Sequence, residues 1–210
     1  MREITTDDQY FPELVPSFLP LKNEIFVDGG AFDGDTIRGL MKLSEEKGVY
    51  KHIYAFEPDP QNYLKLRKFV SDYPNITCYK KGLYSRETTL EFLSGAGMES
   101  SVNEFVIERD ADCRQFETIN IEVCSIDNVV KDRVTYIKMD IEGSEIEALR
   151  GGENTIRRYK PKLAISIYHN TEDLWEIPLY IKEIVPDYKL YVEHHLFSLD
   201  CYDTVLYALI

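Results

Sequence analysis

The sequence predicts an α/β protein built on a mostly parallel β-sheet, and three observations carry that expectation. Short β-rich runs alternate with helical stretches along most of the chain. A glycine-rich turn follows the first β-rich run, at the position where open α/β sheets bind ligands. The 210 residues suit one domain with a substantial core, and neither a repeat nor a linker divides them.

The elements follow in order. Residues 1–23 form a lead-in or lid. "EIFVDGG" is the first strand, and "DTIRGLMKLSEEKG" the helix after it. "HIYAFEP" is the second strand, stopped by Pro58. "DPQNYLKLRKFVSDYP" follows as a helix with Asp59 as N-cap and Pro60 in its first turn. "NITCYKKGLY" is the third strand. Residues 86–128 break the rhythm: "TTLEFL" and "TINIEVCSI" are inserted strands around the loop "SGAGMESSVNEF". "VTYIKMDIEG" resumes as the fourth core strand, and "SEIEALRGG" is a short helix with Gly151 or Gly152 at its C-cap. "ENTIRRYK" adds a helical turn or two and "PKLAISIYH" is the fifth strand. "TEDLWEIPLYIKEIV" is a helix kinked or interrupted near Pro178. Residues 188–210 form a hairpin turning near Asp200 and closing one sheet edge.

Charge and cysteines narrow the function classes. A net charge of −13 repels nucleic acid and anionic membrane surfaces. No apolar run of eighteen residues exists, so membrane insertion is not expected. The acidic start "MREITTDDQYF" lacks the apolar centre of a signal peptide. Cys78, Cys113, Cys124 and Cys201 are scattered, which favours reduced packing thiols and a cytoplasmic setting.

The turn "IFVDGGAFDGDT" sets Asp28, Asp33 and Asp35 among Gly29, Gly30 and Gly34. Glycines let a backbone approach a ligand closely, but the spacing is not G-x-G-x-x-G. Like charges 4 Å apart cost about 4 kcal/mol at an effective dielectric near 20, so pyrophosphate is a poor guest. A guest bearing ammonium and sulfonium charges is a good one, which points to S-adenosylmethionine. Asp33 or Asp35 is expected to cap the helix from Thr36, and Asp28 to face the ligand. Glu57 ends the second strand 29 residues after Asp28, where a carboxylate can bind both ribose hydroxyls.

At "VDGGAFDGDT", "AFEPDPQNYLKL" and above all "YIKMDIEGSEIEALRGG", the chain resembles the FkbM family of S-adenosylmethionine-dependent methyltransferases, over roughly residues 25–168. The resemblance implies a Rossmann-like class I methyltransferase fold. That fold has a seven-stranded, mostly parallel sheet, an antiparallel last strand and helices on both faces. It implies cofactor contacts from Asp28, Gly29, Gly30 and their neighbours Ala31, Gly34, Asp35 and Thr36. Glu57, beside Pro58, is implied at the ribose, and Gly82 and Leu83 at the adenine. Gln9 and Tyr10 match a short motif ahead of the first strand and are candidate lid residues.

Methyl transfer to a hydroxyl needs alignment and assistance by a base or a metal. Asp140, at the end of the fourth strand, is the candidate for orienting or deprotonating the acceptor and also borders the cofactor. Glu142 shares its loop, and His169, ending the fifth strand, is a candidate general base. Together with Asn170 these residues offer the alternative of a divalent ion, magnesium before zinc because the ligands are mostly oxygen. Glu145 and Glu147 are expected to serve the next helix's N-terminus. Adjacent His194 and His195 point to opposite faces of a strand. Ser100 and Ser101 lie in a small polar loop suited to covering a ligand. Arg150, Arg157, Arg158, Lys160 and Lys162 read as a solvated face or a dock for an anion. The leading expectation is an O-methyltransferase acting on a sugar, glycan precursor or secondary metabolite, with oligomeric state open. Rivals are an NAD-type oxidoreductase or epimerase, and a non-catalytic nucleoside-binding protein.

Overall fold

The computed structural model describes residues 9–13, 15–19, 22–44, 50–94, 101–102, 117–195 and 203–210. In chain order the strands and helices begin with β1 (Glu24–Gly29), α1 (Asp35–Ser44), β2 (Tyr50–Phe56), α2 (Pro60–Phe69), β3 (Ile76–Tyr79) and β4 (Gly82–Leu83). Next come β5 (Thr88–Ser94), β6 (Ser101–Val102), β7 (Glu117–Cys124), α3 (Ile126–Val129) and β8 (Tyr136–Met139). The chain continues with α4 (Glu145–Gly151), α5 (Glu153–Tyr159), β9 (Lys162–Ser166), α6 (Asp173–Ile184), β10 (Lys189–His194) and β11 (Thr204–Leu209).

Seven strands form one sheet in the order β10-β11-β9-β8-β1-β2-β3. Only β11 runs against its neighbours, lying between β9 and β10. The central strands are buried on both faces, so they are nearly continuous apolar runs. Alternation splits their side chains between two cores. Val27, Ile137, Leu163 and Leu206 pack beneath α4, α5 and α6. Phe26, Tyr136, Ala164 and Tyr207 face α1, α2 and the lead-in residues Tyr10, Phe11 and Phe18. Helices therefore cover both faces, as expected. The order reverses between β1 and β8, which makes the carboxyl ends of β1, β2 and β8 the place for a site.

Local signals explain the element ends. Asp59 accepts hydrogen bonds from the N–H groups of Gln61 and Asn62 with Pro60 in the first turn, and Gly152 caps α4. Three expectations need correction. The run 75–84 is not one strand: β3 joins the large sheet, while β4 pairs with β7 after a bend at Lys80 and Lys81. The inserted strands form a second, four-stranded sheet, β4-β7-β5-β6. Helix α6 runs uninterrupted through Pro178. The carbonyl deprived of its donor belongs to Leu174, which is 42% exposed and open to water. The expected turn near Asp200 lies outside the described residues. No helix among the described residues is long and apolar enough to cross a membrane.

Candidate functional site

A cleft opens over the carboxyl ends of β1, β2 and β8 and is bordered by Gly30, Asp35, Thr36, Glu57, Asp140 and Glu142. Its opposite wall is apolar and comes from the inserted sheet: Leu90, Phe92, Ile121 and Val123 join Gly82 and Leu83. The four inserted-sheet residues had a legible signal. Period-two alternation in "TTLEFL" and "TINIEV" puts Leu90 opposite Ile121 and Phe92 opposite Ile119.

The glycine turn is built differently from its sequence-based reading. Gly30 has φ +72, and a Cβ there would lie 1.8 Å from the Asp140 carbonyl oxygen. The missing side chains of Gly29 and Gly34 leave room for Leu83 and the Phe69 ring. These glycines thus let protein segments approach one another; only Gly30 of the three also borders the cleft. Ala31 is fully buried, its N–H bonded to the Phe56 carbonyl.

Asp28 does not face the cleft. It is fully buried, and the Lys138 ammonium lies 3.2 Å from its Oδ1. Lys138 also donates to the carbonyl oxygens of Gly29 (3.1 Å) and Gly30 (2.7 Å), and its Nζ sits 4.9 Å from the Tyr10 ring centre. Burial raises the Asp28 carboxyl to about 6 despite the opposing pull of Lys138. Lys138 escaped the sequence reading, although a lysine inside the apolar run "TYIKM" was itself a signal. A charge in a central strand requires a buried counter-charge. Asp33 pairs with Arg38 at 2.7 Å, and Asp35 opens α1, its Oδ1 accepting from the Thr36 N–H. Two of the turn's three acids are therefore matched by cations.

Glu57 behaves as expected in place. Its two oxygens accept from the N–H groups of Phe32 and Asp59, each at 2.8 Å, and the carboxylate borders the cleft next to Pro58. Burial lifts it to about 8, against the pull of those two hydrogen bonds.

The loop after β8 gathers the remaining chemistry. Asp140 Oδ2 accepts from the Tyr10 hydroxyl (2.9 Å) and Oδ1 from the Tyr168 hydroxyl (3.2 Å). Burial would raise it, but His169, Lys138 and the Tyr10 bond outweigh burial and hold it below the usual carboxylate range. His169 brings Nε2 to 3.4 Å from Asp140 Oδ1 and 3.5 Å from Glu142 Oε2. Its Nδ1 lies 2.9 Å from Glu145 Oε1. Burial alone would lower the imidazole; the carboxylates of Glu145, Asp140 and Glu142 prevail and raise it to about 10. Held by these three carboxylates, the imidazole keeps its proton more tightly than a free histidine. Glu145 does more than serve α4: fully buried, it accepts from the N–H groups of Ile141 (2.8 Å) and Gly143 (3.0 Å). Glu142 occupies the left-handed region at φ +55 beside Gly143 at φ +96, a strained turn at the cleft edge.

Other candidates divide. Tyr10 borders the cleft and is buried in the core beneath it; Gln9 is buried beside it. Asn170 is turned to Gly143 O and Asp173 rather than to Asp140. Ser101 lies in β6 opposite Leu93, while Ser100, Cys113 and Cys201 lie outside the described residues. Cys78 and Cys124 are free thiols, both raised to about 11 by burial, so they are unreactive packing residues. Arg150, Arg157, Lys160 and Lys162 pair with Glu147, Glu153, Asp187 and Glu24. That disperses the expected basic cluster into local ion pairs. His194 and His195 reach Thr204 and Tyr207 respectively.

Comparison with known proteins fits this geometry. Solved structures include the FkbM methyltransferase of Methylobacillus flagellatus KT, 31% identical with a TM-score of 0.75, covering 99% of this chain and 48% of that one. This chain thus spans about half the length of that relative. A methyltransferase of Streptococcus mutans solved with S-adenosylhomocysteine aligns over 100% of this chain and 97% of its own, with a TM-score of 0.58. Aeropyrum pernix fibrillarin, solved with bound S-adenosylmethionine, aligns over 91% and 69%, with a TM-score of 0.53. At 14% and 15% identity these two share the fold alone. No curated protein matches the chain. The model of the methyltransferase FkbM domain matches residues 28–199. With the Rossmann-like seven-stranded sheet and the cleft at its switch point, this chain belongs to the FkbM methyltransferase family.

Proposed function

We propose that this chain transfers a methyl group from S-adenosylmethionine to a hydroxyl of a small-molecule or glycan acceptor. The observation that carries the reading is Glu57, fixed by two backbone N–H groups at the end of β2 and bordering a cleft with an apolar wall. Such a carboxylate suits two neighbouring hydroxyls of a ribose, and Leu83, Phe92, Ile121 and Val123 suit a flat base beside it. The lining carboxylates of Asp35, Asp140 and Glu142 oppose a pyrophosphate, which speaks against a nicotinamide dinucleotide. S-adenosylmethionine supplies an activated methyl group on a sulfonium centre.

The chain's own part is then alignment. Asp140 remains ionised at neutral pH and presents its carboxylate to the cleft, where it orients an acceptor hydroxyl through a hydrogen bond. A carboxylate of low proton affinity suits orientation better than early deprotonation. Tyr10 and Tyr168 hold the two Asp140 oxygens, so the group starts in place. The net charge of −13 disfavours nucleic acid as acceptor.

Calorimetry with S-adenosylhomocysteine tests the cofactor. At pH 9, where the Glu57 carboxyl is ionised, saturable binding is expected, weakened about 10- to 100-fold in Glu57→Ala by loss of hydrogen bonds to a charged group. Absence of binding, or wild-type affinity in that variant, overturns the reading.

A further inference from the structure

We propose that β10 and the outer stripe of α6 form the interface of a two-fold dimer, in which β10 of one copy pairs antiparallel with β10 of a second. Among the described residues β10 ends the seven-stranded sheet, so one side of it has no neighbouring strand. The other end strand, β3, has four residues and runs into Lys80 and Lys81, a charged stop that protects an edge. β10 has six, "KLYVEH", and its Val192 is 56% exposed. The His195 N–H donates to the Asp203 carbonyl, one step beyond the ladder of β10 with β11. Bonded residues alternate along an antiparallel ladder, so Lys189, Tyr191 and Glu193 bond inward. Leu190, Val192 and His194 then turn their N–H and C=O groups outward, as a template for another strand.

The occupant that fits is a second copy of the same strand. A two-fold axis at Tyr191 sets Leu190 of one copy opposite Val192 of the other, Lys189 opposite Glu193, and Tyr191 opposite itself. The apolar pair and the opposite-charge pair each form twice and the aromatic pair once, and all three kinds stabilise facing strands. Moving the axis to Val192 sets Leu190 opposite His194 and Tyr191 opposite Glu193, and both matches are lost. The axis is perpendicular to the sheet, so α6 of each copy lies on the same face. Leu190 packs against the cluster of Ile177 and Ile181 on that face, and Val192, two residues on, shares it. Trp175, Leu179 and Lys182 are four and three residues apart and form one stripe of α6. Lys182 Nζ donates to the Tyr188 carbonyl at 2.9 Å, which brings the stripe to the start of β10. Trp175 is 49% and Leu179 67% exposed, so strand pairing sets two apolar helix stripes side by side across the axis. The two clefts face opposite ways, because the parallel strands of the two copies run in opposite directions.

Sedimentation velocity on the full chain tests the interface across the micromolar range, at physiological salt to screen repulsion between two chains of charge −13. A concentration-dependent dimer is expected. Val192→Lys should weaken it at least about 10-fold, because an ammonium then faces Leu190 of the other copy. Lys189→Glu should weaken it about 3- to 10-fold by setting a like charge opposite Glu193, and adding Glu193→Lys should restore most of that loss. Trp175, the chain's one tryptophan, should move its emission to shorter wavelength as the wild-type dimer forms. That shift and the restored pairing are readouts that unfolding of a variant does not imitate. A wild-type monomer throughout the range overturns the proposal. So does a dimer that Val192→Lys leaves unchanged, or a charge-swapped pair no tighter than Lys189→Glu alone.

Discussion

The turn after β1 and the loop after β8 each place three carboxylates near a strand end: Asp28, Asp33 and Asp35 in one, Asp140, Glu142 and Glu145 in the other. In the first, two of them are paired with cations, Lys138 and Arg38. In the second, all three converge on one imidazole at the cleft edge. The contrast teaches that counting acids along a turn does not give the charge a ligand meets. What matters is which acids a partner strand has already matched, and Lys138 arrives from 110 residues downstream of Asp28 (138 minus 28).

Breaking the matched turn should have the largest effect. Lys138→Met leaves the Asp28 carboxylate buried without its cation and two turn carbonyls without a donor, and should cost about 3–5 kcal/mol in urea unfolding. Adding Asp28→Asn should recover a large part of that loss; additive losses would mean that the pair does not act as a pair. Gly30→Ala should cost upward of about 2 kcal/mol in the same assay, because a left-handed backbone and the Asp140 carbonyl both oppose the methyl group. It should also weaken S-adenosylhomocysteine, since the two loops meet at that contact.

A pH series sharpens the comparison at Glu57. Its folded value of about 8 lies above the ordinary 4.5. The folded state therefore keeps a proton that the unfolded chain has lost across that window. This contribution to stability is complete below about pH 4.5 and disappears as pH rises through about 8. Affinity for S-adenosylhomocysteine should move the other way, rising several-fold per pH unit up to that value, because the ionised carboxylate accepts the ribose hydroxyls. Glu57→Gln should flatten the Glu57 contribution to both profiles, measured by calorimetry and urea unfolding from pH 6 to 9. The smallest effect belongs to Asp33→Asn. Its pair with Arg38 is well exposed, so thermal unfolding should register less than about 1 kcal/mol.

Much of the frame was legible because it rests on local rules. Asp59 and Pro60 announce a helix start, the pair Gly151-Gly152 a helix end, and the near-continuous apolar runs of β1 and β8 a sheet covered on both faces. Glu57 was legible from its place at a strand end. Failures came where two distant segments meet. "NITCYKKGLY" has one hydrophobic pattern, and nothing local says that its halves join different sheets. The proton affinity of His169 is set by three carboxylates from another loop, which its own strand does not announce. The apolar cleft wall required the inserted strands to fold over the switch point, which alternation alone does not fix.

By itself the sequence determined the α/β class, the order of most elements and the strand ends where chemistry gathers, because periodicity and capping act over a few neighbouring residues. Only the tertiary structure decided that Asp28 serves Lys138, that Gly30 makes room for the Asp140 carbonyl, and that His169 is held between Asp140, Glu142 and Glu145. The physical reason is that charge and burial belong to contacts in space, and those contacts join residues far apart along the chain.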